Sequence, residues 1–351
     1  MMRLAVSEGD IGRADSLVTK LTKDYADSAM FAVAHRDTAA VARLLAEGRG
    51  AASFRSVASA AWQVGWLGRP EVAEPFARLA AARPEQPVLG NVGLAKNLIS
   101  QGRWTAADSA FAAASVTTVD PRPRIERAIV ASLPFLAVPR PELEAIRAEL
   151  AGENVGRPSA TANDPVDAML PELRSYALGL LASRLGDAPG ALRAAELLDT
   201  VQAAPEDRSA LRSLAAVVRA DVALTSRRPA DALNLLQNVR GDVPLDLARA
   251  SPFSEDYGRF LRAEALLALG NDGEALRWLE NGFTTTPDEL LYAAPVALRL
   301  GDIYERRGER QKAADEYTRV LRLWKSCDAR LRPAVDDART RLARVTAEPR
   351  T

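Results

Sequence analysis

The sequence predicts an all-α protein built as an array of helical hairpins. Three observations carry this. Ala, Leu and Arg dominate its 351 residues, of which 48% are hydrophobic and only 5% aromatic; such residues lose little on entering a helix. Alternating runs of Val, Ile and Thr, the mark of a half-buried strand, are nearly absent. Small residues return at a near-constant long spacing, as they do in repeat architectures.

The elements follow in order. SEGDIGRADSLVTKL, residues 7–21, offers a turn at Gly9 and a second helix with Ala14. His35-Arg36-Asp37 falls where the two helices of a hairpin should turn. The next unit places Ala61, Val64, Gly68, Ala73, Ala77 and Ala80 on one skeleton. Ala95, Leu98, Gly102, Ala107, Phe111 and Ala114 repeat it. A degenerate pair, RIERAIVASLPFLAVPRPELEAIRAELA, follows. AGENVGRPSATANDP, residues 151–165, is rich in Gly, Pro, Ser, Thr and Asn with no apolar period, and reads as a loop or hinge.

Three more copies follow: Gly179, Ala182, Gly186, Ala191 and Ala195; then Ala220, Ala223, Ala232, Leu236 and Pro244; then Ala263, Leu266, Gly270, Ala275, Leu279 and Pro287. The clearest unit is the last, with Leu300-Gly301, Tyr304, Gly308, Ala313 and Tyr317. Gly301 and Ala313 sit where two helices cross closely, and Gly308 ends the first helix in a left-handed conformation. TPDE at 286–289 is a capping box with proline at the first helical position, and Pro70, Pro141 and Pro229 start other second helices. Leu331, Val335, Ala338, Leu342 and Val345 form one apolar stripe, which predicts a terminal helix covering the end of the array. The chain thus divides into repeats over 1–150, a loop or hinge over 151–165, repeats over 166–327 and a capping helix over 328–347.

These units resemble the tetratricopeptide repeat (TPR). The small alanine of each second helix falls at 14, 73, 107, 191, 232, 275 and 313; one step is 34 residues, the TPR period, and the C-terminal steps are 41, 43 and 38. The resemblance implies a right-handed α-solenoid of about eight TPR-like hairpins. The C-terminal third, from ALRWLENGF through the capping stripe, is similar to TPR tails of bacterial serine/threonine protein kinases and signalling regulators. That resemblance implies a regulatory or sensing segment rather than an activity.

Several chemistries lack their residues. His35 is the only histidine and Cys327 the only cysteine, so neither a disulfide nor a cysteine-based zinc site can form within the chain. His35-Arg36-Asp37 spells the start of a kinase catalytic loop, but Ala42 stands where the metal-holding asparagine belongs. No GxSxG, HExxH, EF-hand or phosphate-binding glycine loop occurs. No catalytic residue, cofactor or metal site is assigned. An enzyme on a helical scaffold would show itself as acids with shifted pKa values in a closed pocket. The 46 basic and 46 acidic residues balance, which predicts no binding to nucleic acid or acidic lipid. AIVASLPFLAV is the longest apolar run, too short to span a bilayer and interrupted by proline. The N-terminus lacks the apolar core of a signal peptide. A cytoplasmic location is expected. MMRLAVSEG reads as a first helix cut short, which predicts a further N-terminal domain or a second copy against it.

What remains is a surface. First helices of a TPR array line a groove that takes peptides or partner helices. Groove-facing positions are Asp221, Glu264, Asp302, Glu305 and Arg306, with Tyr257 and Phe260 nearby, and, toward the N-terminus, Trp62, Trp66, Lys96 and Ser100, with Arg55 nearby. One set is acidic, the other aromatic and mildly basic. Trp62 and Trp66 are four apart, on one helix face; packing between repeats is the competing role for both. Lys96-Asn97 is a single partial match to the pair by which some TPRs hold a C-terminal carboxylate. The expected function is a non-enzymatic adaptor that binds another protein or peptide. A ligand-sensing segment of a signalling protein is the alternative.

Overall fold

A computed structural model describes residues 24–116, 120–153, 155, 169–202, 205–237, 239, 252–281 and 288–347. Among the described residues there are seventeen α-helices and no strand. They follow one another as eight hairpins and a last helix. The first four hairpins are α1 (Tyr25–Ala34) with α2 (Thr38–Gly48), α3 (Phe54–Trp66) with α4 (Pro70–Ala81), α5 (Pro87–Ser100) with α6 (Trp104–Val116), and α7 (Arg122–Ala131) with α8 (Arg140–Gly152). Then come α9 (Leu170–Arg184) with α10 (Ala188–Thr200), α11 (Pro205–Thr225) with α12 (Pro229–Leu236), α13 (Pro252–Ala268) with α14 (Asp272–Asn281), and α15 (Ala293–Arg306) with α16 (Arg310–Leu323). The final helix, α17, is Arg332–Thr346. The unit expected around Gly9 and Ala14, most of the loop over 151–165, Pro244 and Thr286-Pro287 lie outside the described residues.

One turn is used seven times. After the first helix a residue takes positive φ: Arg36 (57°), Gly68 (67°), Gly102 (70°), Gly186 (79°), Arg227 (58°), Gly270 (73°) and Gly308 (73°). At the third hairpin, Gly102 donates to the Ile99 carbonyl at 2.8 Å and Arg103 to that of Leu98 at 2.9 Å. This pair of bonds satisfies carbonyls that the helix end leaves without partners. The fourth hairpin differs: a 3-10 turn, Pro134–Leu136, leads to Ala137 with φ of 51°.

The turn explains His35-Arg36-Asp37. His35 caps α1 and stacks on Phe31, ring centroids 6.1 Å apart. Arg36 takes the glycine position. Asp37 donates its backbone N–H to the Ala32 carbonyl at 2.8 Å, and its side chain accepts the Ala40 N–H at 2.9 Å, capping α2. All three residues are spent on reversing the chain.

Five residues beyond the turn stand the small residues of the second helices. Ala73, Ala107, Ala191, Ala232, Ala275 and Ala313 have no exposed surface, because a first helix lies against each. The first hairpin has Val41 there, partly buried against the core.

The described residues fall into two compact units. One takes those within Met1–Val119, Glu289–Ala294 and Thr318–Arg339; the other takes those within Asp120–Asp288, Pro295–Tyr317 and Thr340–Thr351. The first has a core of Ala29, Val33, Val57, Ala60, Val64, Ala73 and Phe76. Tyr25 meets Phe76 edge-on at 6.4 Å and donates its hydroxyl to the Leu44 carbonyl at 2.6 Å. The second buries Tyr176, Tyr257, Ile125 and Ile129. There Phe135 meets Phe260 edge-on at 5.4 Å. Gly301 gives Tyr317 its place: a Cβ at 301 would stand 2.6 Å from the tyrosine ring.

Candidate functional site

The positions expected from the sequence to face a groove divide between the two units. In the first, Trp62 and Trp66 stand one turn apart on α3, ring centroids 6.0 Å apart and nearly perpendicular. Both are partly exposed, and Arg55 at the start of α3 is exposed. Lys96 on α5 is half-buried. Ser100, one turn on, is buried and donates its hydroxyl to the Asn97 carbonyl at 2.7 Å.

Asn97 is occupied by the fold. Its amide donates to the Pro70 carbonyl at 3.2 Å, and its oxygen accepts from Gln101 Nε2 at 2.9 Å. Glu74 joins the same network, accepting from Gln101 at 3.1 Å, Arg103 at 2.7 Å and Arg78 at 2.6 Å. Burial alone would raise the Glu74 carboxyl; hydrogen bonds from Arg78 and Gln101 and the charge of Arg103 outweigh it and hold it below the usual glutamate range. Asn97 therefore joins the second hairpin to the third and is committed to that bridge.

In the second unit the acids are matched by arginines. Arg299 on α15 holds Glu264 on α13 through two bonds of 2.6 and 3.0 Å. Arg341 on α17 lies 3.1 Å from Asp302 and 3.4 Å from Glu305. Arg344 reaches Glu305 at 2.6 Å. The Tyr317 hydroxyl is shared by Glu305 at 2.8 Å and Asp302 at 3.1 Å. Arg306 pairs with Asp272 at 2.8 Å. The acids form one ladder with their arginines across successive first helices and α17. Burial is the largest influence on Asp302 and pushes its carboxyl up against Arg341 and Tyr317. At Glu305 burial is outweighed by Tyr317 and Arg344, and the carboxyl is held down.

The remaining three positions are inside. Asp221, Tyr257 and Phe260 are 3%, 1% and 2% exposed. Tyr257 donates its hydroxyl to Asp221 Oδ1, and Ser183 and Arg184 lie beside the same carboxyl. Burial pushes Asp221 above the usual aspartate range against the pull of all three. Burial likewise raises the Tyr176 phenol, with the Asp221 charge adding to it.

Among the described residues no group of His, Cys, Asp and Glu could hold a metal ion, and no helix is long and apolar enough to cross a membrane. A cleft of about 290 Å³ lies between α8 and the turn before α10, lined by Arg140, Glu144, Arg147, Leu185 and Asp187. Arg147 closes onto Asp187 at 2.6 Å.

Paired helices, the recurring left-handed turn and the buried alanines define an all-α fold of repeated helical hairpins. Compared with protein-family models and with curated proteins, the chain matches none. Among solved structures it is similar to the TPR domain of P58(IPK), at 13% identity over 88% of this chain and 95% of that one, with a TM-score of 0.27.

Proposed function

We propose that this protein is a non-enzymatic adaptor that holds another protein on the α3–α5 face of its first unit. Trp62 and Trp66 are the anchor, and Arg55 and Lys96 supply positive charge beside it. The observation that carries this reading is the pair of partly exposed indoles on one helix. Large aromatics at such positions dominate binding energy where a partner buries them, and adjacent cations favour acidic residues and speed encounter. The occupant that fits is a peptide segment with an apolar or aromatic anchor flanked by acids. Glu264, Asp302, Glu305 and Arg306 belong to the ion-pair ladder in this reading, and the buried Ser100, Asp221, Tyr257 and Phe260 shape the helices beneath. The resemblance of the C-terminal third to TPR tails of bacterial signalling proteins supports a regulatory setting for the adaptor.

The test is selection from a displayed library of random 16-residue peptides, followed by fluorescence polarisation. Selected peptides should be enriched in an aromatic flanked by Asp or Glu. Trp62→Ala/Trp66→Ala should weaken them by about 30-fold or more, the loss of one strong anchor, at unchanged helical content and melting temperature. Arg55→Glu should weaken them several-fold and flatten the salt dependence. Undiminished binding by the double variant, or selected peptides without acids, would sink the proposal.

A further inference from the structure

The start of α6 carries no cap of its own. At the equivalent position α2 has Asp37 and α10 has Asp187, whose carboxylates accept the Ala40 and Gly190 amides at 2.9 Å. Helices α4 and α12 open instead with Pro70 and Pro229, which have no N–H to satisfy. Arg103 precedes α6, and its side chain is turned away to Glu74 at 2.7 Å. The missing acceptor arrives from the far end of the chain. Asp328 Oδ2 accepts the Thr105 amide and the Thr105 hydroxyl, each at 2.9 Å, across 223 residues.

A second set of contacts surrounds this cap. The Asp328 amide donates to the Gly102 carbonyl at 3.0 Å. A Cβ on Gly102 would stand 2.9 Å from Cys327 Cβ and from Leu331 Cδ1, and 3.0 Å from Trp324. One on Gly68 would stand 3.2 Å from Arg322. At the other turn glycines, Gly186, Gly270 and Gly308, nothing lies within 4 Å. The two glycine turns of the first unit, at 68 and 102, thus meet the segment 322–331, while those three turns face open space. Gly68, Gly102, Thr105 and the segment 322–331 all belong to the first unit.

We propose that the α16–α17 turn is an intramolecular latch on the second and third hairpins, with Asp328 as its catch. Its release leaves α6 uncapped and uncovers the Gly68 and Gly102 turns, so the N-terminal repeats have a closed and an open state. This does not depend on the peptide-binding reading.

Cys327 provides the readout. It is the only cysteine, it is partly buried at the latch, and burial raises its thiol above the usual range, so release makes it more reactive. Labelling by Ellman's reagent would be compared in wild type, Gly102→Ala and Gly186→Ala, all as full chains. Both alanines carry the same left-handed backbone cost, but only the one at 102 wedges the latch. Gly102→Ala should label about ten-fold faster or more, and Gly186→Ala within about two-fold of wild type. Equal rates in the two variants would overturn the latch. Should Gly102→Ala fail to fold, hydrogen exchange over 103–112 in Asp328→Ala replaces it. Faster exchange of the first turn of α6 is the expected result, and unchanged protection there overturns the proposal.

Discussion

Arg36 and Arg227 hold, at φ of 57° and 58°, the backbone conformation that glycine holds at five equivalent turns. Both are exposed, so the side chain has little packing to offset the cost of a Cβ in the left-handed region. Arg36→Gly and Arg227→Gly should each stabilise by about 0.5–1 kcal/mol, the left-handed penalty less the added freedom of the unfolded chain. Urea unfolding midpoints measure this, and a loss of stability in both would remove the argument. Asp221 makes a different case. Its carboxyl titrates higher in the folded protein than in the unfolded chain, because burial disfavours its charge. Below the unfolded value of about 3.8 both states are protonated. As pH rises through and beyond it, the unfolded chain ionises first, and stability falls until the folded carboxyl ionises too. Asp221→Asn keeps an acceptor for Tyr257 and cannot ionise. The stability difference, variant minus wild type, should therefore rise as pH increases above about 3.8; a flat difference would show that burial does not raise the Asp221 carboxyl. The spacing in the sequence put Asp221 and Tyr257 on neighbouring first helices. Their burial depends on how closely those helices approach, which residue types alone do not set.

Helices are where this sequence speaks most plainly. A glycine turn followed five residues later by alanine marks five of the described hairpins in the sequence, because both positions are set by backbone geometry and close crossing. The first hairpin is faint for the same reason: Arg36 and Val41 replace the diagnostic small residues, and only the turn at 35–37 betrays it. The fourth is faint because it turns through Pro134–Leu136 instead. Two helical glycines show what the pattern means energetically. Gly301 faces the Tyr317 ring, whereas nothing lies within 4 Å of where a Cβ would sit on Gly93, in α5. Gly301→Ala should cost about 1–3 kcal/mol through overpacking, while Gly93→Ala should gain up to about 1 kcal/mol from helix propensity. Opposite shifts in thermal midpoint are the expected signature, and shifts of the same sign would contradict the crossing assigned to Gly301.

At the level of the whole molecule, charge balance hides organisation. The 46 acids and 46 bases cancel in composition, yet in the second unit they are placed pair by pair. Glu264, Asp302 and Glu305 read as an acidic surface in the sequence because their arginines come 35–39 residues later, on the next first helix or on α17. The offset is one repeat, a distance at which sequence reading sees two separate charges rather than a pair. The cap on α6 is hidden for a stronger reason, since no local pattern announces a partner 223 positions away. That separation also fixes an order of events in the making of the protein. A nascent chain leaves the ribosome at about 5–20 residues per second, so roughly 10–45 s pass between the emergence of Thr105 and that of Asp328. Throughout that interval the third hairpin must persist with its second helix unfinished, and a stretch translated 223 residues later completes it.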